Sequence, residues 1–84
     1  MLKYIQNAER VFSEIRLAQE PRSISEKKVN NIIKTAKNYC KDAKYYQEKK
    51  ELETSLTAIA YCEGLLDALR LLGIVEFTWG TQNE

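Results

Sequence analysis

A chain of 84 residues with thirteen Lys or Arg, twelve Asp or Glu and a net charge of +1 has no bulk field to drive nucleic-acid or membrane-surface binding, so any such role needs a local patch. A hydrophobic content of 44% beside 30% charged residues fits a folded, helix-rich domain, and at this length about 60 to 65% of the unfolded surface is buried in one small core. The complete lack of histidine removes His-based zinc sites, Ser-His and Cys-His nucleophile pairs and the ordinary neutral-pH proton shuttle.

The chain reads as a single domain, 1–84. The opening MLKYIQNAER has no apolar run of signal-peptide length, so a cytoplasmic protein with reduced thiols is expected. From Leu2 to Gln19 the residues Tyr4, Ile5, Ala8, Val11, Phe12, Ile15 and Ala18 recur at helical spacing. At about 100° per residue they share an arc of roughly 140°, which predicts a first helix over 2–19 with one buried face. Pro21 stops it, because proline excludes the helical conformation from the residue before it.

Two cap signals open the second helix. Ser23 with Glu26 has capping-box spacing, and Ser25 as cap places Ile24 and Val29 at the staple positions; Ser25 is the preferred start. The helix is expected over 25–48, burying Val29, Ile32, Ile33, Ala36, Tyr39, Cys40, Ala43 and Tyr46. Its opposite side carries Lys34, Lys37, Lys41 and Lys44. This stripe is the candidate phosphate-contacting surface, although a lysine-rich solvated face is the ordinary outcome for an amphipathic helix.

The stretch YYQEKKELETSL has no proline, glycine or strong cap, so composition alone permits one continuous helix from Ser25 to Leu72. Helical phase argues otherwise. The apolar arcs before Glu48 and after Leu52 are offset by about 80°, and a turn at Lys49 and Lys50 repairs the mismatch. A third helix then runs over 51–72 and closes at Gly73, with Ile74 set to touch Leu69 in a Schellman-type end. The fold class is therefore all-α, a three-helix up-and-down antiparallel bundle with a short apolar C-terminal extension over 74–84. In that extension Ile74, Val75, Phe77 and Trp79 are expected to fold back over the core, with a self-association or partner surface as the alternative.

On the third helix Ala58, Ile59, Cys62, Leu65, Leu66, Leu69 and Leu72 form the expected core arc, while Glu63, Asp67 and Arg70 lie on the far side. Those three charges also stop the Leu56 to Val75 segment from spanning a membrane. Beside them run Ala60, Gly64 and Ala68. A mid-helix glycine costs about 0.5 to 1 kcal/mol relative to alanine, which suggests close backbone approach at Gly64.

If the second and third helices fold about Lys49 and Lys50, facing residues have numbers summing to about 100. Gly64 then meets the level of Ala36, Ala60 that of Cys40, and Thr57 that of Ala43. A tight intramolecular helix pair is the plain reading; a homodimer contact or partner groove is the alternative. The same arithmetic sets Tyr39 level with Tyr61 and Cys40 level with Cys62. The cysteines read as two small buried hydrophobes in a reducing cytosol, with a disulfide between them as the alternative where packing is tight, and neither has a basic partner that clearly marks it as reactive. Glu63 with Asp67, or Asp42 beside Tyr39 and Tyr46, are the only carboxylate groupings that suggest cation binding or acid chemistry, and neither has a third convergent ligand in view.

The segments YCKDA (39–43) and YCEGLLDA (61–68) share a Tyr-Cys opening and an Asp-Ala close. Tyr-x-x-Asp-Ala on one helix and Tyr-x-x-Gly-x-Leu-Asp-Ala followed by Leu-Gly on the next resemble the archaeal family catalogued as domain of unknown function 357. The resemblance rests on Ala36, Tyr39, Asp42, Ala43, Tyr45, Tyr46, Tyr61, Gly64, Leu66, Asp67, Ala68, Leu72 and Gly73, over roughly the last two thirds of the bundle. It implies a three-helix bundle, found alone or beside a nucleotidyltransferase-like domain, and no known activity. The family pattern often has Gly-Asp where this chain has Lys49-Lys50-Glu51, and a small residue such as alanine where it has Cys62.

The expected function is a non-enzymatic interaction module, binding itself or an unidentified protein partner through Ala60, Gly64, Ala68, Phe77 and Trp79, with no catalytic residues, cofactor, metal or membrane role. The alternative is a nucleic-acid or nucleotide-associated accessory domain using the lysine stripe. An enzyme built on Asp42 or Asp67 has the least support.

Overall fold

The computed structural model describes residues 2–18 and 24–79, and these form three packed helices and one pair of short strands. In chain order they are α1 (Leu2–Glu14), β1 (Arg16–Leu17), α2 (Glu26–Glu48), α3 (Leu52–Leu71) and β2 (Val75–Glu76). The most extensive packing joins α2 to α3, and α1 lies across both. The three-helix architecture expected from the periodicity is the one observed.

Ser25 is the cap of α2, its side-chain oxygen accepting from Lys28 N at 3.2 Å. Ile24 and Val29 join the same apolar cluster, as a staple requires. The α2 helix closes in a Schellman geometry: Glu51 N donates to Tyr46 O and Lys50 N to Gln47 O, with Lys50 at φ 63°. The turn thus falls at Lys49 and Lys50, where the phase argument placed it. The end of α3 repeats the geometry with Gly73 at φ 75°, where Ile74 N donates to Leu69 O and Gly73 N to Arg70 O. Leu69 and Ile74 are buried in one cluster.

The first helix is shorter than expected. It ends at Glu14 instead of Gln19, and Arg16 and Leu17 pair antiparallel with Glu76 and Val75. Ala18 N extends the pairing by donating to Ile74 O at 3.0 Å. Extended backbone lets Ile15 and Leu17 cover Val29, Leu69, Ile74 and Val75, a cluster a continued helix would not reach in this way. Pro21, to which the stop was assigned, lies outside the described residues, as do Ser23 and the end of the extension, 80–84.

The core has two connected regions. Ile5, Ala8 and Val11 of α1 meet Ala36, Cys40 and Ala43 of α2 and Ala58, Ile59, Cys62 and Leu66 of α3. The second is the strand-end cluster just described. Phe77 packs against both and Trp79 against the first, so the apolar extension does fold back over the core through its described part. Two expected core positions fall outside: Leu72 is 68% exposed and Tyr4 49%. Leu72 caps the helix just where the chain turns away, and Tyr4 lies in the first turn of α1.

Candidate functional site

Most of α3 is apolar on two sides, which an ordinary surface helix is not. Its inner side buries Ser55, Ala58, Ile59, Cys62, Leu66 and Leu69. Its outer side exposes Leu56, Tyr61 and Leu71, with Leu72 just beyond, around the small residues Ala60, Gly64 and Ala68. Gly64 is nine residues from the fully buried Ser55, which at about 100° per residue sets it on the opposite side of the helix.

This corrects the expected packing of Gly64 against α2. A Cβ added at Gly64 would meet nothing within 4 Å. Thr57, expected opposite Ala43, is likewise exposed. The difference is one of face: Ser55, two residues from Thr57, is the side chain that reaches Ala43, its hydroxyl donating to the carbonyl at 2.6 Å.

Two clefts meet over Ala60 and Gly64. One of about 550 Å³ is lined by Leu56, Thr57, Ala60, Tyr61, Gly64 and Leu65. The other, about 470 Å³, is lined by Tyr4, Asn7, Ala60, Glu63, Gly64, Asp67 and Trp79. Of the sequence-derived interface residues, Ala60, Gly64 and Trp79 are brought together here, Ala68 is exposed on the same helix, and Phe77 is turned into the core.

Asp67 has a defined task. Its Oδ1 accepts from Arg70 Nε at 3.0 Å, from Arg70 Nη2 at 2.7 Å and from Trp79 Nε1 at 3.1 Å. The Trp79 and Arg70 bonds hold its carboxyl below the usual carboxylate range. Glu63, one turn earlier, is pushed upward by burial and then by the Asp67 charge. Asp42 is exposed on α2. Among the described residues no group of three or more His, Cys, Asp or Glu is placed to hold a metal ion.

The other motif residues are structural contacts between α2 and α3. Tyr39 and Tyr61 stack with ring centroids 5.2 Å apart and planes at 21°, as their shared level suggested. Cys40 and Cys62 are both buried and free, and their thiols are paired by a side-chain hydrogen bond. That bond lowers the Cys40 pKa and, together with burial, raises that of Cys62. Cys40 edges a cleft of about 360 Å³ lined by Glu9 and Phe12 of α1 and by Lys37, Lys41 and Lys44, its helical neighbours on α2.

The lysine stripe is partly engaged with α1. Lys44 pairs with Glu9 at 3.4 Å and Lys37 Nζ lies 5.8 Å from the Phe12 ring centroid, while Lys34 and Lys41 are exposed. No helix of the described residues is long and apolar enough to cross a membrane.

Sequence reasoning did not find Ser55 or the Asp67–Trp79 bond. Ser55 lies in phase with Ile59, Cys62 and Leu66, and a serine in an otherwise apolar stripe was the available signal. No curated protein and no solved structure matches the chain. A family model described as Protein of unknown function (DUF357) matches residues 3–75, from the start of α1 to the first residue of β2 and so well beyond the segments that carry the resemblance, and the chain belongs to that family.

Proposed function

We propose that the protein is a non-enzymatic self-association module in which two copies join through the outer face of α3. The observation that carries this reading is the apolar character of that face, with Leu56, Tyr61, Leu71 and Leu72 about half to three-quarters exposed beside a floor of Ala60, Gly64 and Ala68. Contiguous exposed apolar surface of this kind marks an association site more often than a solvated one.

A second copy fits better than an arbitrary partner because the face is complementary to itself. In an antiparallel pair with Gly64 on the twofold axis, Ala60 lies opposite the partner copy's Ala68, and Leu56 opposite its Leu72. Small residues at the crossing allow the helix axes to approach to about 8 Å. Charge is also compatible, since Asp67 is already neutralised by Arg70 and would lie opposite Tyr61 of the other copy, not opposite another carboxylate.

Light scattering and sedimentation of the wild type and of Gly64→Leu test the reading. A concentration-dependent dimer is expected for the wild type, with Gly64→Leu keeping its helical circular dichroism but running as a monomer. A wild type that stays monomeric to millimolar concentration would overturn it. The lysine stripe supports a nucleic-acid role less well, because a lysine-rich exposed face is the ordinary outcome for an amphipathic helix.

A further inference from the structure

We propose that Cys40 and Cys62 form a thiol–disulfide exchange site that accepts a small anionic disulfide at Cys40 and closes a disulfide between α2 and α3. The geometry divides the two sulfurs by access. Cys62 is fully buried at 0% exposure, whereas Cys40, 5% exposed, reaches the edge of the cleft between α1 and α2. Three lysines, Lys37, Lys41 and Lys44, border that cleft against one acid, Glu9, so its field favours a ligand carrying carboxylates.

The helices are close at this level. Cys40 and Cys62 belong to one core cluster, each follows a tyrosine of the stacked Tyr39–Tyr61 pair, and the Ser55 hydroxyl spans from α3 to the α2 backbone at Ala43. The small residues Ala36, Ala43 and Ala58 surround them, which suits the separation of Cα atoms below about 7 Å that a disulfide needs. Pairing with Cys62 lowers the Cys40 pKa and so favours its thiolate, the species that attacks.

The exchange balances. The Cys40 thiolate attacks one sulfur of the external disulfide, that bond breaks, and the first half leaves as a thiolate that takes up a proton. Cys62 then attacks the Cys40 sulfur and passes its proton to the departing second half, which leaves as a thiol. The two cysteines are oxidised by two electrons and the external disulfide is reduced to two thiols.

Intact-mass measurement on the reduced, folded chain treated with oxidised glutathione is the test. The wild type is expected to lose about 2 Da, two hydrogens, without dimerising covalently. Cys62→Ala should stop as a single glutathione adduct, and Cys40→Ala should remain unmodified, with circular dichroism confirming that both variants are folded. Reaction with the uncharged bis(2-hydroxyethyl) disulfide should be several-fold slower, and Lys37→Gln with Lys41→Gln should remove that difference. A wild type that stays reduced when folded yet reacts in denaturant would overturn the proposal, as would adduct formation on Cys62 in the Cys40→Ala variant or a disulfide between two chains.

Discussion

The indole Nε1 of Trp79 donates to Asp67 Oδ1 at 3.1 Å, on the same oxygen that Arg70 engages twice, and so ties the C-terminal segment to the outer side of α3. Arg10 holds the neighbouring residue through the Thr78 carbonyl at 3.0 Å, and Phe77 meets Trp79 edge to face at 5.0 Å. The extension is therefore a fastener between α1 and α3 and a wall of the cleft over Gly64.

Asp67 gives this fastener a pH dependence. Its folded pKa is depressed, so the stabilisation is fully present above the unfolded value of about 3.9 and is lost as the pH falls through the lower folded value. The side chain is 41% exposed, so solvent screening limits the effect to about 1 kcal/mol or less. Trp79 fluorescence should show an acid transition with a midpoint below pH 3.9, and Asp67→Ala should abolish that transition and shift the emission to the red at neutral pH.

Glu63 works in the opposite sense. Burial and the Asp67 charge raise its folded pKa, so the ionised form weakens the folded state at neutral pH, and the penalty disappears once the pH drops below the unfolded value of about 4.3. Glu63→Gln is expected to raise the neutral-pH melting temperature. Denaturation curves of the two proteins should converge near pH 4, and a constant offset at all pH values would contradict the assignment.

Lys50 occupies a conformation that glycine adopts freely. A lysine at φ 63° carries a left-handed cost of about 1 to 2 kcal/mol, part of which glycine returns through the greater freedom of its unfolded chain. Lys50→Gly should stabilise the chain by about 0.5 to 1 kcal/mol, or several degrees in thermal unfolding for a domain of this size.

Ser55 joins α3 to α2 in a fully buried position, donating to the Ala43 carbonyl. Ser55→Ala should cost about 1 kcal/mol through the lost bond. Ser55→Val is expected to cost more, because added methyl groups would crowd the α2 backbone at the Ala43 carbonyl that Ser55 now touches. Chemical denaturation at neutral pH resolves both.

Helical period and end signals were enough to determine the number of helices, the Ser25 cap, the Gly73 close, the turn at Lys49 and Lys50 and the pairing level of Tyr39 with Tyr61. Each depends on residues near one another in the chain, or on a simple reversal of direction about a known turn. The end of α1, the task of Asp67, the cleft beside Cys40 and the outward position of Gly64 were decided only by tertiary structure. The first three depend on partners from separate elements: β2 for the end of α1, the C-terminal segment for Asp67, and Glu9 and Phe12 of α1 for the cleft beside Cys40. The last depends on α3 being apolar nearly all round, so that its pattern defines two stripes but not which of them α2 covers; packing of Ile59, Cys62 and Leu66 against α1 and α2 leaves Gly64 on the other.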